Sequence, residues 1–331
     1  MTGRVALDQR RAVFRARLPG ALGWLIVTPL AVSAGARLAG LDEASSLLLL
    51  ADGLTPLLGP PAFVALGIGL QQRRWTLATL SAVTAGAFLC FAVPGLGVPV
   101  RVRSPGGWSP PFRLFSANIY DANPDVGLIA KEILGAAPDL VALQEVDSDG
   151  AEGLRRSGVL ARFPYRVTEI REGASGIAFW SRFPLAESQV LDIGGMPAIS
   201  ATVVLGARRL RLSTVHVIAP VGDDRARWKA QLRRIDEEIH REQRPLVVVG
   251  DFNATRYHPS FRRLLSDQLA DAHERRGRGW ATTWPRNRWP LPPLMRLDHV
   301  LVSTEVHVRS VREGVGRGSD HRPIIADLIL P

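Results

Sequence analysis

Apolar residues are distributed unevenly along the chain, and their pattern divides it into two regions. From Ala21 to Val100 the sequence is dominated by Leu, Ala, Val and Gly, whereas charged and apolar residues mix from Ser104 onward. A stretch rich in Pro, Gly and Ser, from Pro99 to Pro111, is typical of a linker. The pattern therefore predicts four segments: a basic N-terminus (1–20), an apolar region (21–100), a linker (101–111) and a C-terminal domain (112–331).

The apolar region contains three stretches, of which the first is short relative to the roughly 20 residues that a bilayer requires. They run from Ala21 to Ala36, from Leu47 to Leu70 and from Thr76 to Val98. Asp52 fits best at the interfacial end of the second stretch, with the helix proper running on from Leu54. Because little polar surface remains for contact with water, we predict an α-helical membrane region of about three transmembrane helices. The alternative is a hairpin of buried helices in a soluble protein.

The placement of arginines predicts the orientation of these helices. Five arginines precede the first stretch, and Arg73 and Arg74 lie between the second and the third, so both regions should face the cytoplasm. Asp42 and Glu43 mark an outer loop, and three crossings then place the C-terminal domain outside. We predict a multi-pass cell membrane protein whose C-terminal domain is extracytoplasmic. Residues 34–36 (Ala-Gly-Ala) also resemble a signal-peptidase site, so cleavage of the first stretch stays open.

In the C-terminal region, apolar runs end repeatedly in polar residues of catalytic type, which is typical of strands that lead into a site. The predicted strands are Arg113–Asn118, Leu140–Glu145, Leu210–His216, Leu246–Asp251 and Leu297–Val302. Helical spacing lies between them at Asp125–Leu134 and Asp223–Arg241. The region is thus predicted to be an α/β domain.

Net charge separates the two regions further. Residues 1–103 hold ten arginines and four acidic residues, a net charge of +6, whereas the remainder holds 31 basic and 27 acidic residues, a net charge of +4. A dedicated nucleic-acid binder usually concentrates basic residues on its working face. Overall charge therefore gives little support to nucleic-acid binding by the C-terminal domain.

Two acidic motifs supply candidates for metal binding and water activation. Glu145 ends an apolar run in Leu-Gln-Glu-Val-Asp, where a carboxylate can bind a hard cation. Asp251 and Asn253 lie on the same side of an extended segment in Gly-Asp-Phe-Asn-Ala. Taken singly, Glu145 could be an exposed strand-end acid and Asp251 part of an Asx turn.

Histidines paired with acids supply candidates for charge stabilisation. Asp320 and His321 stand together in Gly-Ser-Asp-His-Arg-Pro, a pairing that can place a proton donor at phosphate oxygens. His216 ends Ser-Thr-Val-His, and Asp298 lies in Arg-Leu-Asp-His-Val. Each has an ordinary structural alternative: a loop that caps a strand, a core histidine or a strand cap.

Taken together, the order and spacing of these motifs resemble the endonuclease/exonuclease/phosphatase superfamily, which includes DNase I-like nucleases, neutral sphingomyelinases and inositol phosphate phosphatases. The resemblance covers residues 112–330, with Ser-Ala-Asn-Ile at 116–119 and Trp-Ser-Arg-Phe-Pro at 180–184 in support. It implies a four-layer α/β/β/α sandwich and a metal-dependent phosphoric ester hydrolase that uses Mg²⁺ (or Mn²⁺).

The resemblance also implies a set of metal ligands. Glu145 would be the principal ligand, Asn118 its neighbour, and Asp320 would complete the network of metal and water. Tyr120 stands where some nucleases of the superfamily place an acid, which puts a second ligand at that position in doubt.

The same resemblance implies the catalytic roles. Asp251 would activate the attacking water, with Asn253 holding that water or a phosphate oxygen. His321, oriented by Asp298, would stabilise the charge on the phosphorus centre, and His216 would contact phosphate or the leaving group. In physical terms, a divalent ion offsets phosphate charge while a carboxylate takes the proton from water.

The substrate is set by loops rather than by the shared site. Three tryptophans in residues 279–295 (Trp280, Trp284 and Trp289) are candidates for contact with lipid headgroups, although the loop could instead pack on its own domain. The overall layout looks like a bacterial membrane subgroup that includes teicoplanin-resistance proteins. We therefore predict two partners, the lipid bilayer and a phosphorylated substrate that is lipid-linked rather than nucleic acid. The alternatives are an extracytoplasmic nuclease and a non-catalytic, membrane-anchored binding module.

Overall fold

A computed structural model describes residues 2–97, 109–242, 245–265, 269–286 and 292–331. Most of the predicted linker lies outside these ranges, and so does Trp289. The chain forms two compact units, Met1–Pro94 and Gly95–Pro331, which are described separately below.

Helices make up the first unit. They are α1 (Thr2–Leu38), α2 (Ser46–Gly53), α3 (Thr55–Gln71) and α4 (Trp75–Ala92). Two segments, Pro19–Leu38 and Trp75–Ala92, are long and apolar enough to cross a membrane. The α2 and α3 pair becomes a third candidate if it is taken as one span, although its axes meet at 87°. By length and composition, two or three crossings are therefore possible.

The two helices α2 and α3 each begin at residues that suit a helix N-terminus. Ser45 caps α2, its hydroxyl accepting a hydrogen bond from the amide of Leu48, and Pro56 occupies the first turn of α3, where a missing N–H costs nothing. The long helix of the second stretch thus begins next to Leu54, as the sequence indicates, while the residues before it form a separate short helix.

The helices of this unit pack through small residues and expose large apolar ones. A Cβ at Gly69 would lie 2.7 Å from the amide nitrogen of Ala78, so α3 and α4 approach closely where a side chain is absent. By contrast, Leu25, Val32 and Val83 are 73%, 63% and 65% exposed. A helix bundle in water normally hides such side chains, so these exposed apolar residues would suit an apolar surrounding.

The second unit contains both strands and helices. The strands are β1 (Phe112–Asn118), β2 (Leu140–Gln144), β3 (Tyr165–Glu169), β4 (Ile177–Ser181), β5 (Leu185–Asp192), β6 (Pro197–Leu205), β7 (Arg208–His216), β8 (Leu246–Asp251), β9 (Leu269–Asp271), β10 (Asp298–Ser303), β11 (His307–Glu313) and β12 (Ile324–Ile329). The helices are α5 (Val126–Ala136), α6 (Ser148–Arg156), α7 (Arg225–Arg241), α8 (Pro259–Arg262) and α9 (Ala272–Arg275).

In the described part of the chain, these strands form two six-stranded sheets. One has the order β11-β12-β1-β2-β4-β3 and the other β5-β6-β7-β8-β10-β9. Each contains one parallel pair, β1 with β2 and β7 with β8, and its other pairs are antiparallel. The two sheets thus repeat one arrangement around a central parallel pair.

Alternation of side chains along the strands builds the layers. Leu114 of β1 faces the second sheet and joins a core with Phe179, Leu212 and Val249, all fully buried. The neighbouring Phe115 points the other way and packs against α5 and α6. Helix α7 buries one stripe at helical spacing (Trp228, Gln231, Leu232, Ile235 and Ile239) and covers the second sheet. The predicted α/β/β/α sandwich is confirmed.

The topology brings the polar ends of six strands to one edge. β1, β2, β7 and β8 run in the same direction within their parallel pairs and end at this edge. β10 and β12 are antiparallel to their neighbours, so they begin there. In register, Asp298 at the start of β10 lies opposite Asp251 at the end of β8, and His216 lies beside Asp251 on the other side.

Candidate active site

Asp251 is fixed at the centre of this edge by the glycine before it. Gly250 has a φ of +141°, and a Cβ there would lie 2.0 Å from the carbonyl oxygen of Val215. Because both the backbone conformation and the space exclude a side chain, Gly-Asp is required at the end of this buried strand. The carboxylate of Asp251 is fully buried.

Asn253 forms the Asx turn that the sequence left open. Its amide N–H donates to Asp251 Oδ1 (2.8 Å), and its side-chain Nδ2 donates to the carbonyl oxygen of Val217 (2.8 Å). The residue has a φ of +46°, which asparagine tolerates. Asp251 can therefore take part both in the Asx turn and in the site, because the turn uses Oδ1 and leaves Oδ2 directed to the centre.

Glu145 follows β2 directly and faces Asp251 through Asn118. Asn118 Nδ2 donates to Glu145 Oε1 (2.7 Å) and to Asp251 Oδ2 (3.1 Å). The other oxygen, Oε2, accepts the amide N–H of Asp121 (3.0 Å). Because Asn118 Oδ1 accepts from the amide of Tyr120, the asparagine offers its N–H rather than its oxygen to the centre. Whether Asn118 also serves as a metal ligand stays a prediction.

Left-handed backbone is concentrated here. Tyr120 and Glu145 have φ values of +64° and +60°. Such conformations cost about 1–3 kcal/mol and persist only where the surroundings enforce them. Together with Asn253, they place three non-glycine residues of this kind within the site, which indicates a geometry set by function rather than by local preference.

His321 and Asp298 form a buried pair on the other side of Asp251. His321 Nδ1 lies 2.8 Å from Asp298 Oδ2, and its Nε2 lies 3.6 Å from Asp251 Oδ2. Burial by itself would lower the pKa of His321, but the carboxylates of Asp298, Asp251 and Asp320 raise it to about 10. The ring is therefore an imidazolium at neutral pH, able to donate to an anionic oxygen.

Burial raises the pKa of two carboxyls. For Glu145, the desolvation outweighs the opposing effects of His216 and Asn118, and Asp251 raises it further. For Asp298, burial likewise outweighs the favourable charge of His321. Negative charge in this site is thus unfavourable as it stands, and an added cation would relieve it.

His216 reaches both acids from β7. Its Nε2 lies 3.8 Å from Glu145 Oε1 and 3.8 Å from Asp251 Oδ2, while Nδ1 is buried and has no hydrogen-bond partner among the described residues. Asp320 is more peripheral: its Oδ1 is 4.0 Å from His321 Nε2 and its Oδ2 accepts the indole N–H of Trp284 (3.2 Å). All eight residues named from the sequence therefore lie around one centre.

Supporting residues were missed by the sequence analysis. Thr283 Oγ1 accepts the amides of Leu297 (3.1 Å) and Asp298 (3.3 Å), and Ser319 Oγ donates to the carbonyl of Asn118 (2.8 Å) while accepting the amide of His321 (2.9 Å). Ser319 stands inside Gly-Ser-Asp-His and Thr283 inside Thr-Thr-Trp-Pro, so adjacency to a motif was the available signal.

His299 also belongs to a recognised motif but takes no part in the site. Its Nδ1 lies 2.6 Å from Asp271 Oδ2 and its Nε2 2.9 Å from the carbonyl oxygen of Ala254. It is fully buried, and its contact with Ala254 supports the loop after β8. The histidine of Arg-Leu-Asp-His is therefore a structural residue.

The donors of this site suit a divalent cation. Among the described residues, Glu145 has no Arg or Lys partner, and its ion-pair neighbour is His216. One ligand atom each from Asp251, Asp298 and His321 also lie within 4.8 Å of one another. Carboxylate oxygens that lack a fixed cation are the ligands that Mg²⁺ and similar hard ions prefer. The residues present therefore fit a bound metal.

Comparisons with known proteins agree with this geometry. Residues 115–321 match the Endonuclease/Exonuclease/phosphatase family. The chain belongs to this family, whose members are metal-dependent phosphoesterases. A search of curated proteins finds no match.

Solved structures share the fold of the second unit. A humanized D. rerio TDP2 is 16% identical with a TM-score of 0.58, covering 66% of this chain and 98% of its own. The Bacteroides thetaiotaomicron mannosyl-6-phosphatase Bt3783 is 16% identical with a TM-score of 0.52, covering 66% and 99%. The human Nocturnin catalytic domain is 24% identical with a TM-score of 0.53, covering 66% and 94%. At these identities the likeness is one of fold.

The Asp298–His321 pair generates a prediction about pH. Asp298→Asn removes a carboxylate that raises the pKa of His321, so this pKa should fall and the imidazolium should be lost as pH rises through the lower value. The wild type retains it up to about pH 10. We expect kcat on bis(p-nitrophenyl) phosphate to fall about 10²-fold, and the high-pH limb of activity to move to lower pH.

The histidine titration can be followed by NMR beside the kinetics. Asp139→Asn is the matched control, since that carboxylate binds Arg182 and the amide of Arg113 instead. A variant at Asp298 with an unchanged pH profile would show that the pair does not control the charge of His321.

Proposed function

We propose that this chain is a membrane-anchored, divalent-metal-dependent phosphoesterase that hydrolyses a lipid-linked phosphate ester at the extracytoplasmic membrane surface. The main support for this proposal is that Glu145, Asp251 and His321, which lie at the ends of three separate strands, meet at one centre. Few other side chains are needed for attack of water on phosphorus, because this reaction depends mainly on positioning and charge stabilisation.

Each residue then has a distinct task. Asp251 takes the proton from the attacking water, and Asn253 fixes the orientation of Asp251 through its amide. His321, kept cationic by Asp298, donates to a phosphate oxygen as negative charge develops. His216 contacts a second phosphate oxygen or the leaving group. A divalent ion held by Glu145 and Asp320 would offset the negative charge of the phosphate.

Two groups of residues compete for the ion. The compact cluster of Asp251, Asp298 and His321 offers ligand atoms close together. However, the imidazolium of His321 already offsets the charge of Asp298 there, and an ion would have to displace its proton. Glu145 has no such fixed partner among the described residues, so we favour binding of Mg²⁺ (or Mn²⁺) on the Glu145 side.

The metal requirement is the first test of this proposal. Glu145→Gln keeps the size of the side chain and removes its charge, so we expect kcat with Mg²⁺ to fall by about 10²-fold or more. Chelation should abolish wild-type activity, and added Mn²⁺ should restore it. The assay is hydrolysis of bis(p-nitrophenyl) phosphate by the full chain in detergent.

Glu152→Gln serves as the control for the charge change, because Glu152 pairs with Arg155 on the exposed face of α6. Turnover that persists in Glu145→Gln with chelator present would exclude the metal mechanism. An intact, metal-binding wild type without turnover on any phosphate ester would favour the binding-module alternative.

Membrane anchoring is supported by the two or three apolar helices of the first unit and by their exposed apolar side chains. The distribution of arginines supports an extracytoplasmic catalytic domain. Only 19 residues, 93–111, join α4 to β1, so a short tether would keep the site near a bilayer and raise its effective concentration toward lipid headgroups.

Sidedness can be tested with reporters fused after Pro331. Alkaline phosphatase should be active there because it folds outside the cytoplasm, whereas green fluorescent protein exported to the same place should stay dark. The reverse pair of results would place the catalytic domain in the cytoplasm and remove the extracytoplasmic part of the proposal.

Exposed apolar residues near the catalytic edge support a lipid substrate. Trp280 is 51% exposed and precedes Thr283 by three residues, and Val221 is 69% exposed in the loop that follows His216. Trp284 is only partly exposed and donates to Asp320. Of the tryptophans first considered for headgroup contact, Trp280 is therefore the better candidate in the described residues.

Trp280→Ser should lower hydrolysis of vesicle phospholipid several-fold and leave bis(p-nitrophenyl) phosphate hydrolysis unchanged, because only the lipid reaction uses interfacial contact. Val190→Ser, which changes an exposed apolar residue on β5, is the control. Efficient cleavage of DNA at physiological salt, with lipid phosphates untouched and no effect of Trp280→Ser, would favour the nuclease alternative.

A further inference from the structure

The segment that carries Trp284 is fixed on two sides. The backbone of Trp284 exchanges hydrogen bonds with that of Met295, each N–H donating to the other carbonyl at 2.9 Å. On the opposite side, the amide N–H of Arg286 donates to the carbonyl oxygen of Asp320 (2.7 Å). The amide N–H of Arg322 donates to the carbonyl oxygen of Thr283 (2.9 Å). The backbone around Trp284 is thus held against the Asp320–Arg322 segment before any side chain is considered.

The indole of Trp284 then meets the Asp320 carboxylate. Its Nε1–H donates to Oδ2 over 3.2 Å, while Oδ1 of the same carboxylate lies 4.0 Å from His321 Nε2. An indole N–H only donates and does not titrate in water, so it can serve only as a hydrogen-bond donor to this carboxylate. Since one oxygen is engaged, the rotation of the carboxylate is restricted and the other oxygen is directed to the centre.

Asp320 needs such a restraint more than its neighbours do. Its side chain is 21% exposed, whereas those of Asp251 and Asp298 are 1% and 2% exposed and are enclosed by the sheets. A partly exposed carboxylate in a loop samples several rotamers unless a partner holds it.

We propose that Trp284 is a positioning residue that holds Asp320 in its working orientation through the indole N–H. The inference rests on the proposed function, in which Asp320 helps to hold the metal ion. It differs from the headgroup-contact hypothesis for Trp284, which requires the apolar ring and not the N–H. The two hypotheses can therefore be separated by a change that keeps the ring and removes the donor.

Trp284→Phe is that change. With the full chain in detergent, we expect kcat on bis(p-nitrophenyl) phosphate to fall about tenfold at nearly constant KM, which is the size of a lost hydrogen bond to a charged group. The dissociation constant for Mn²⁺, measured by the EPR signal of the free ion without substrate, should rise several-fold. Loss of activity on vesicle lipid alone, with both of these values unchanged, would support headgroup contact and overturn the proposal.

Trp180→Phe is the matched control, because Trp180 also donates its indole N–H to a side-chain oxygen, that of Thr168 (3.3 Å), but on β4 and away from the site. It should leave the Mn²⁺ affinity and kcat unchanged. In an Asp320→Asn background, Trp284→Phe should have little further effect on either value, because its acceptor charge is already gone. Equal losses in both backgrounds would show that Trp284 acts by another route.

One measurement leaves Trp284 in place and so does not depend on the folding of Trp284→Phe. The indole N–H signal of Trp284 should shift upfield in Asp320→Asn, as expected when a charged acceptor is replaced by a neutral one. An unmoved signal would overturn the contact itself. Wild-type protein that binds no Mn²⁺ would instead refute the proposed function, and an unchanged Mn²⁺ affinity in Trp284→Phe would refute only this inference.

Discussion

The structure of the site depends on the close burial of several carboxylates. Asp251 and Asp298 are buried and Glu145 is only 13% exposed, and burial raises the pKa of Glu145 and Asp298. Buried acids of like charge repel one another, so they persist only with cations or N–H donors beside them. His321, Asn118 and backbone amides supply part of this compensation, and the family's divalent metal would supply more.

The fold provides the rigidity that such crowding demands. The acids sit at the ends of strands from both sheets, and the sheets share one continuous apolar core. Gly250, with its positive φ and no Cβ, allows Asp251 to end the buried strand β8. The strained backbone of Glu145 and Asn253 is maintained because the strands that precede them, β2 and β8, are each paired with a strand on both sides.

The sequence predicted those features that are encoded locally. Apolar runs ending in Asn118, Glu145, His216 and Asp251 predicted four of the strands to within two residues, and the resemblance to the family predicted the eight site residues. The supports of Asp298, Asn118 and Asp320 could not be predicted in the same way, because Thr283, Ser319 and Trp284 act across the fold. Trp284 illustrates the difference. Its place in an apolar segment of the sequence suggested lipid contact, whereas in the structure its indole N–H donates to the carboxylate of Asp320.

The pairing of β1 with β12 has a consequence for how the enzyme comes into being. Ser109 and Leu330, 221 positions apart, are hydrogen-bonded beside this pair, and His321 lies just before β12. β1 is an inner strand, so its sheet stays divided until nearly all of the domain has left the ribosome. Closing contacts over such long separations makes folding slow. The half-site of Asn118 and Glu145 therefore gains its histidine only after nearly all of the domain has been synthesised.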